Sequence, residues 1–162
     1  MAKEIERKYL VTDESWREEI ASRTRFRQGY IASLEDRSVR VRIMGDEAAK
    51  LTIKVGTDVL MRDEYEYDIP VADAEELLKS VPGFILEKIR YTVEHEGFTW
   101  EIDVFDGLYR GLIVAEVELR SEADQPALPA WVGPEVTGDR RFSNQHLATD
   151  DLSTELSDVI KD

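Results

Sequence analysis

Ser38-Val39-Arg40-Val41-Arg42-Ile43 is followed, across the turn-prone Met44-Gly45-Asp46-Glu47, by Ala49-Lys50-Leu51-Thr52-Ile53-Lys54-Val55. Ionic or polar residues alternate with apolar ones through both stretches. Residues at i, i+2 and i+4 of a strand point to one side of a sheet, so the pair reads as an antiparallel hairpin with an ionic and an apolar face. The pattern recurs at Glu4–Leu10, Asp63–Ile69, Ile85–His95, Phe98–Phe105 and Gly111–Arg120, and Arg25–Ala32 reads as a further strand. Glu96-Gly97 and Asp106-Gly107 are good turn chemistry between them.

Helices are few. Asp13 is placed to cap a short one carrying Trp16 and Ile20 on one face. A second is expected over Ala74–Ser80, capped by Asp73 with Glu76 at its third position and ended by Pro82-Gly83. Ser143 can cap a last one through Ala148. The Pro-containing segment Ser121–Pro134 reads as connection. No repeat or linker divides the chain, so a single domain is expected over 1–150, followed by an acidic, loosely held tail at 151–162.

The 162 residues include 21 Lys and Arg against 35 Asp and Glu, a formal charge of −14. Such a balance excludes non-specific binding to nucleic acid or to an anionic membrane surface. Absence of cysteine removes disulfides, thiol nucleophiles and cysteine-ligated metals. The two histidines, His95 and His146, form no H-E-x-x-H pair. With no apolar stretch long enough to span a bilayer, a cytoplasmic location is expected.

One parity collects Glu4, Glu6 and Lys8; Arg40 and Arg42; Lys50 and Lys54; Glu64 and Glu66; Lys88 and Arg90; Glu101 and Asp103; and Glu116 and Glu118. A solvated sheet face explains any one strand. It does not explain why the charges are sorted, basic on some strands and acidic on others. Closing about eight strands into a barrel with this face inward, and packing helices outside, turns the sorting into a polar tunnel. Two like charges about 4 Å apart repel by about 4 kcal/mol at an effective dielectric near 20, so crowded cations need anions among them. Glu116 and Glu118 beside Glu4 and Glu6 form the opposite crowd, which calls for protons or a hard divalent cation, Mg2+ or Mn2+. A metal side and a phosphate side suit phosphoryl transfer.

Glu4-Ile5-Glu6-Arg7-Lys8 is an E-x-E-x-K signature. With Arg40-Val41-Arg42, Leu51-Thr52-Ile53-Lys54, Glu64-Tyr65-Glu66-Tyr67, Lys88-Ile89-Arg90-Tyr91, Trp100-Glu101-Ile102-Asp103, Ala115-Glu116-Val117-Glu118-Leu119 and Val136–Asn144, it resembles the CYTH family, the triphosphate tunnel metalloenzymes. The resemblance runs from Lys3 to about Ala148. It implies an α+β protein built on a closed eight-stranded antiparallel barrel around a charged tunnel. On the same resemblance Glu4, Glu6, Glu116 and Glu118 hold one or two Mg2+ or Mn2+ ions, and one of these carboxylates orients the attacking water. Lys8, Arg40, Arg42, Lys54, Lys88 and Arg90 bind phosphate oxygens, Arg141 closes the tunnel, and Glu4, Glu6, Lys8, Tyr30 and Lys88 form the catalytic set. Glu64, Glu66, Glu101 and Asp103 position the basic residues or hold a second metal. Tyr30 reads equally as a core tyrosine.

The implied activity is metal-dependent hydrolysis of inorganic triphosphate to diphosphate and phosphate. Alternatives are a thiamine triphosphatase, a nucleoside triphosphatase, a class IV adenylyl cyclase, or a polyphosphate- or organophosphate-binding module without turnover. The expected partner is a small polyanion, with neither nucleic acid nor membrane, and the chain acts as a monomer or homodimer.

Overall fold

In the computed structural model, which describes residues 2–58 and 60–160, the alternation closes into a ring. The strands are β1 (Ala2–Val11), β2 (Ile20–Leu34), β3 (Arg37–Met44), β4 (Ala48–Val55), β5 (Met61–Ile69), β6 (Leu86–His95), β7 (Phe98–Phe105), β8 (Ile113–Glu118) and β9 (Val132–Glu135). Hydrogen bonding runs β5-β4-β3-β2-β6-β7-β8-β1, and a β5–β1 pairing closes an eight-stranded antiparallel barrel. Residues 2–5 of β1 pair with β5, whereas Tyr9 and Val11 pair with β9. The same strand therefore closes the ring and carries the extra ribbon.

Two helices, α1 (Val71–Leu78) and α2 (Asn144–Thr149), lie outside the ring. Two apolar clusters coat the barrel's outer face. Val41, Ile43 and Ala49 pack with Ala74 and Leu78 of α1. Trp100, Ile102 and Val117 pack with Trp16 and Trp131, and the Trp100 and Trp131 rings meet edge-on at 5.6 Å. A third cluster is on the inner side: Leu86 and Phe105, which share the parity of Lys88 and Asp103, pack with Leu147, Ala148, Leu152 and Leu156 across one end of the barrel. Burying the outer faces under short helices and irregular chain leaves the rest of the inward face to the ions.

The sequence reading holds for the sidedness and for the β6–β7 turn, where Glu96 (φ 46°) and Gly97 (φ 83°) take the positive φ values of a type I′ hairpin. It errs in several local places. Trp16 is buried in a 3-10 turn, Ser15–Glu19, but Ile20 opens the long strand β2 and is exposed. The α1 helix starts earlier than expected, with an extended Pro70 rather than Asp73 at its N-cap, and Asp73 falls in the first turn, where its charge suits the helix N-terminus. Strand β8 is confined to Ile113–Glu118, and the segment read as connection contains β9. The acidic tail is docked: Leu152 and Leu156 are buried, and Tyr109 donates its hydroxyl to the carbonyls of Leu147 and Asp150. No helix of the described residues is long and apolar enough to cross a membrane.

Candidate active site

Inside the ring a near chamber adjoins a smaller pocket, the waist, which in turn adjoins a far chamber among the turns, the 136–140 segment and α2 at one end of the barrel. A near chamber of about 590 Å3 is lined by Glu4, Glu6, Arg40, Arg42, Lys54, Glu64, Glu66, Arg90, Glu101, Glu116 and Glu118, among others. A waist of about 30 Å3 is bordered by Glu6, Lys8, Tyr30, Ser38, Arg40 and Lys54 on one hand and by Arg62, Ser143, Asn144 and Gln145 on the other. A far chamber of about 600 Å3 lies beyond it, with Ser33, Thr57, Arg62, Thr137, Arg140 and His146 on its wall. Glu6 borders all of them.

Strand register explains the sorting of charge. Ser38 faces Lys54 across β3–β4, Lys54 faces Glu64 across β4–β5, and Lys8 faces Glu116 across β1–β8. Lys54 donates to Glu4 at 2.8 Å, and the Lys8 ammonium stands 3.5 Å from Glu116 while donating to the Phe142 carbonyl. Arg42 donates through Nε to the buried amide oxygen of Gln28 at 2.7 Å. Arg42 and Arg90 both lie over the Phe26 ring, at 4.4 and 5.1 Å. Those contacts hold two like charges close by giving each a π face to rest on. Arg40 donates to Thr52, but its Nε is buried without a partner among the described residues. A phosphate oxygen would supply the missing acceptor.

On the acidic side the register itself opposes like charges. Glu6 faces Glu118, and Glu101 faces Glu116. Burial, then Glu116 and Glu4, push the Glu6 carboxyl up to about 8. Burial and the hydrogen bond to Glu4 raise Glu64 to about 7. Burial opposes ionisation of Glu4 too, yet the bond from Glu64 and the Lys54 ammonium hold it at about 2. For Glu116 burial is outweighed by Lys8, Arg90 and Lys88, which hold it well below the carboxylate range. Among the described residues no three histidine or carboxylate side chains are already drawn together at metal-binding spacing, since Glu4 and Glu116 lean on lysines. The donor set nevertheless fits a hard dication: it is all oxygen, and opposed carboxylates such as Glu6 and Glu118 are relieved by positive charge between them.

Three residues stand apart from the expected lining. Lys88 is fully buried, donating to Asp103 at 2.6 Å and to Asn144 at 3.0 Å, and neither it nor Asp103 borders a chamber. Asp103 also accepts two bonds from Arg90, so its oxygens are engaged by cations. Arg141 pairs with Asp139 on the outside of the far end, and Arg140 lines the chamber in its place. The reversal follows from the 3-10 turn Arg140–Phe142, in which strand parity has no meaning. Tyr30 is buried and reaches the waist while also packing in the core.

Residues 2–146 match the CYTH domain family. The chain is 44% identical over 148 residues to the inorganic triphosphatase of Acetivibrio thermocellus, covering 91% of this chain and 94% of that one. It is 38% identical over 149 residues to the inorganic triphosphatase of Nitrosomonas europaea, covering 90% and 96%. Its fold is similar to the crystal structure of the inorganic triphosphatase NE1496, with a TM-score of 0.66, 35% identity and coverage of 93% and 97%.

Proposed function

The chain belongs to the CYTH domain family, and from that premise we propose that it is a triphosphatase that hydrolyses inorganic triphosphate to diphosphate and orthophosphate with the help of a divalent cation. The observation that carries the reading is the near chamber, where Arg40, Arg42, Lys54 and Arg90 stand against Glu4, Glu64, Glu116 and Glu118. Phosphoryl transfer depends on positioning and charge neutralisation, and both are built into these walls.

Arg42 presents a fixed fork to the phosphate oxygens, because Gln28 takes its Nε and the Phe26 face supports it, while Arg90, bonded to Asp103 through Nε and Nη2 and to Glu101 through Nη1, offers its charge and its remaining N–H groups. Arg40 and Lys54, shared by near chamber and waist, receive the inner phosphoryl group. Glu6, Glu116 and Glu118, with Glu4, would hold Mg2+ or Mn2+. When bound, such an ion neutralises phosphate charge and polarises the phosphorus centre. An inorganic substrate is favoured over a nucleotide because Phe26 is the aromatic residue of the near chamber, and Arg42 and Arg90 occupy its ring. No face is left for a base to stack on.

The test is orthophosphate release from tripolyphosphate, thiamine triphosphate and ATP, each with magnesium or manganese. Tripolyphosphate should turn over fastest, with none cleaved after chelation. Faster release from ATP would reject the inorganic substrate.

A further inference from the structure

Carboxylates outnumber cations in this chain by 35 to 21, so an arginine left without one is not short of candidates. Among the described residues Arg23, Arg40, Arg42, Arg62 and Arg140 make no ion pair, and all but Arg23 border a chamber or the waist. Arg40 and Arg42 belong to the near chamber and its substrate. Arg62 and Arg140 remain, and both line the far chamber. The carboxylates beside them are engaged elsewhere. Glu4 stands opposite Arg62 across β1–β5 but takes the Lys54 ammonium. Asp58 accepts from the backbone N–H groups of Leu60 and Met61, and Asp139 accepts from Arg141. Burial, then Arg140, with Arg62 adding and Asp150 opposing, lowers the His146 imidazole, so both guanidiniums bear on one part of the wall.

We infer that the far chamber is a second anion site, distinct from the triphosphate site, which takes a phosphate monoester of a hydroxyl-rich group. Arg62 and Arg140 hold the phosphoryl oxygens, since guanidinium forks match phosphate geometry. The rest of the wall describes the rest of the ligand. At about 600 Å3 the chamber falls in the range of about 300–1,000 Å3 usual for small-molecule pockets and exceeds what a phosphoryl group fills. Ser33 and Thr57 bring hydroxyls, and Glu35 and Asp150 bring carboxylates that make no ion pair among the described residues. Such acceptors repel a second anionic group and bind hydroxyl donors. Among the described residues no phenyl, phenol or indole side chain borders the chamber, so nothing there stacks on a nucleobase. A sugar phosphate therefore fits, whereas a nucleotide or a second polyphosphate does not. The site goes beyond the triphosphatase reading and does not rest on it.

Calorimetry on the full chain with glucose 6-phosphate, and separately with orthophosphate, tests the assignment. Glucose 6-phosphate should bind both with and without saturating magnesium and imidotriphosphate, whose nitrogen bridges resist cleavage. Arg140→Gln, an exposed change outside the near chamber, should weaken that binding by roughly tenfold or more and leave imidotriphosphate affinity within about twofold. No binding, competition between the two ligands, or equal glucose 6-phosphate affinity in the variant overturns the inference. So does orthophosphate binding as tightly as glucose 6-phosphate, which would assign the two arginines to the free inorganic anion. A crystal structure with glucose 6-phosphate locates it directly. The phosphoryl group should lie between Arg62 and Arg140, and one seated among Arg40, Arg42 and Arg90 instead overturns the second site. Failure of the wild-type protein to bind imidotriphosphate would tell against the triphosphatase reading alone.

Discussion

Gln28 and Arg42 are joined by a 2.7 Å hydrogen bond from the guanidinium Nε to the amide oxygen, and both side chains are buried. The contact spends the sideways donor of Arg42 on the protein and leaves the fork to the chamber. Burial, Arg40 and Arg90 lower Arg42 to about 9, so a neutral acceptor in the wall is part of what keeps it charged.

Gln28→Leu removes that acceptor while preserving bulk. A buried charged donor left without a partner costs about 1–3 kcal/mol, visible as a lower urea midpoint. Because Arg42 also loses its fixed orientation, KM for tripolyphosphate should rise several-fold, more than kcat falls. A variant with wild-type KM and kcat would show that Gln28 does not position Arg42.

Lys88 is legible in sequence as an inward-facing cation, but its depth is not. Its place beneath Phe26 and Phe105, against Asp103, keeps it off the chamber walls and beside the carboxylate that holds Arg90. Lys88→Met leaves Asp103 still paired with Arg90, so the cost is that of lost hydrogen bonds to a charged group, about 1.5–3 kcal/mol, rather than that of a bare buried carboxylate. Burial, aided by Arg90 and Arg42 and opposed by Asp103, lowers Lys88 from 10.5 to about 7. The unfolded lysine therefore binds more protons than the folded one between those values. This group makes stability rise with pH across that window and contributes a constant penalty below it. In metal-free protein the urea midpoint of wild type, relative to Lys88→Met, should climb from pH 7 to 10.

Glu6 and Glu116 share the acidic wall but not its electrostatics. Among the described residues Glu6 makes no ion pair, whereas Glu116 faces the Lys8 ammonium at 3.5 Å. Glu6→Gln should leave metal-free stability within about 0.5 kcal/mol of wild type, and Glu116→Gln should lower it. Both should abolish the rise in Tm produced by manganese, because a ligand bound only by the folded state stabilises it by mass action. A full manganese shift in either variant would remove that residue from the metal set.

The ring was legible because alternation is a property of strands and charge labels one side. That label found Arg40, Arg42, Lys54, Arg90 and the acidic wall. It failed where a residue of the site is neutral: Asn144 and Gln145 border the waist and Gln28 lies behind the lining against Arg42, and none carries a sign to separate it from ordinary polar positions. Arg62 falls outside the strand expected from Asp63, yet it shares parity with Glu64 and Glu66, belongs to β5 and borders the waist. Arg140 and Arg141 could not be told apart, since the chain there is a 3-10 turn. Strand β9 was hidden by Pro134, which reads as loop but is tolerated on a short edge ribbon.

The acidic composition of the tail argued for a loose end, yet its two leucines decide the matter. Leu156 is fully buried with Tyr109, Leu147 and Phe142, and Leu152 donates its backbone N–H to the Tyr109 hydroxyl. The cluster backs α2, whose first residues Asn144 and Gln145 wall the waist and tie it to Lys88, Ser33 and Leu34. Leu156→Ala should therefore cost about 2–5 kcal/mol by cavity creation. If the tail only supported folding, kcat at a temperature well below melting would stay at the wild-type value. Because the cluster sets the position of the waist wall, kcat should fall there as well, with KM changing less. Asp158→Ala, an exposed change on the same segment, should alter neither quantity.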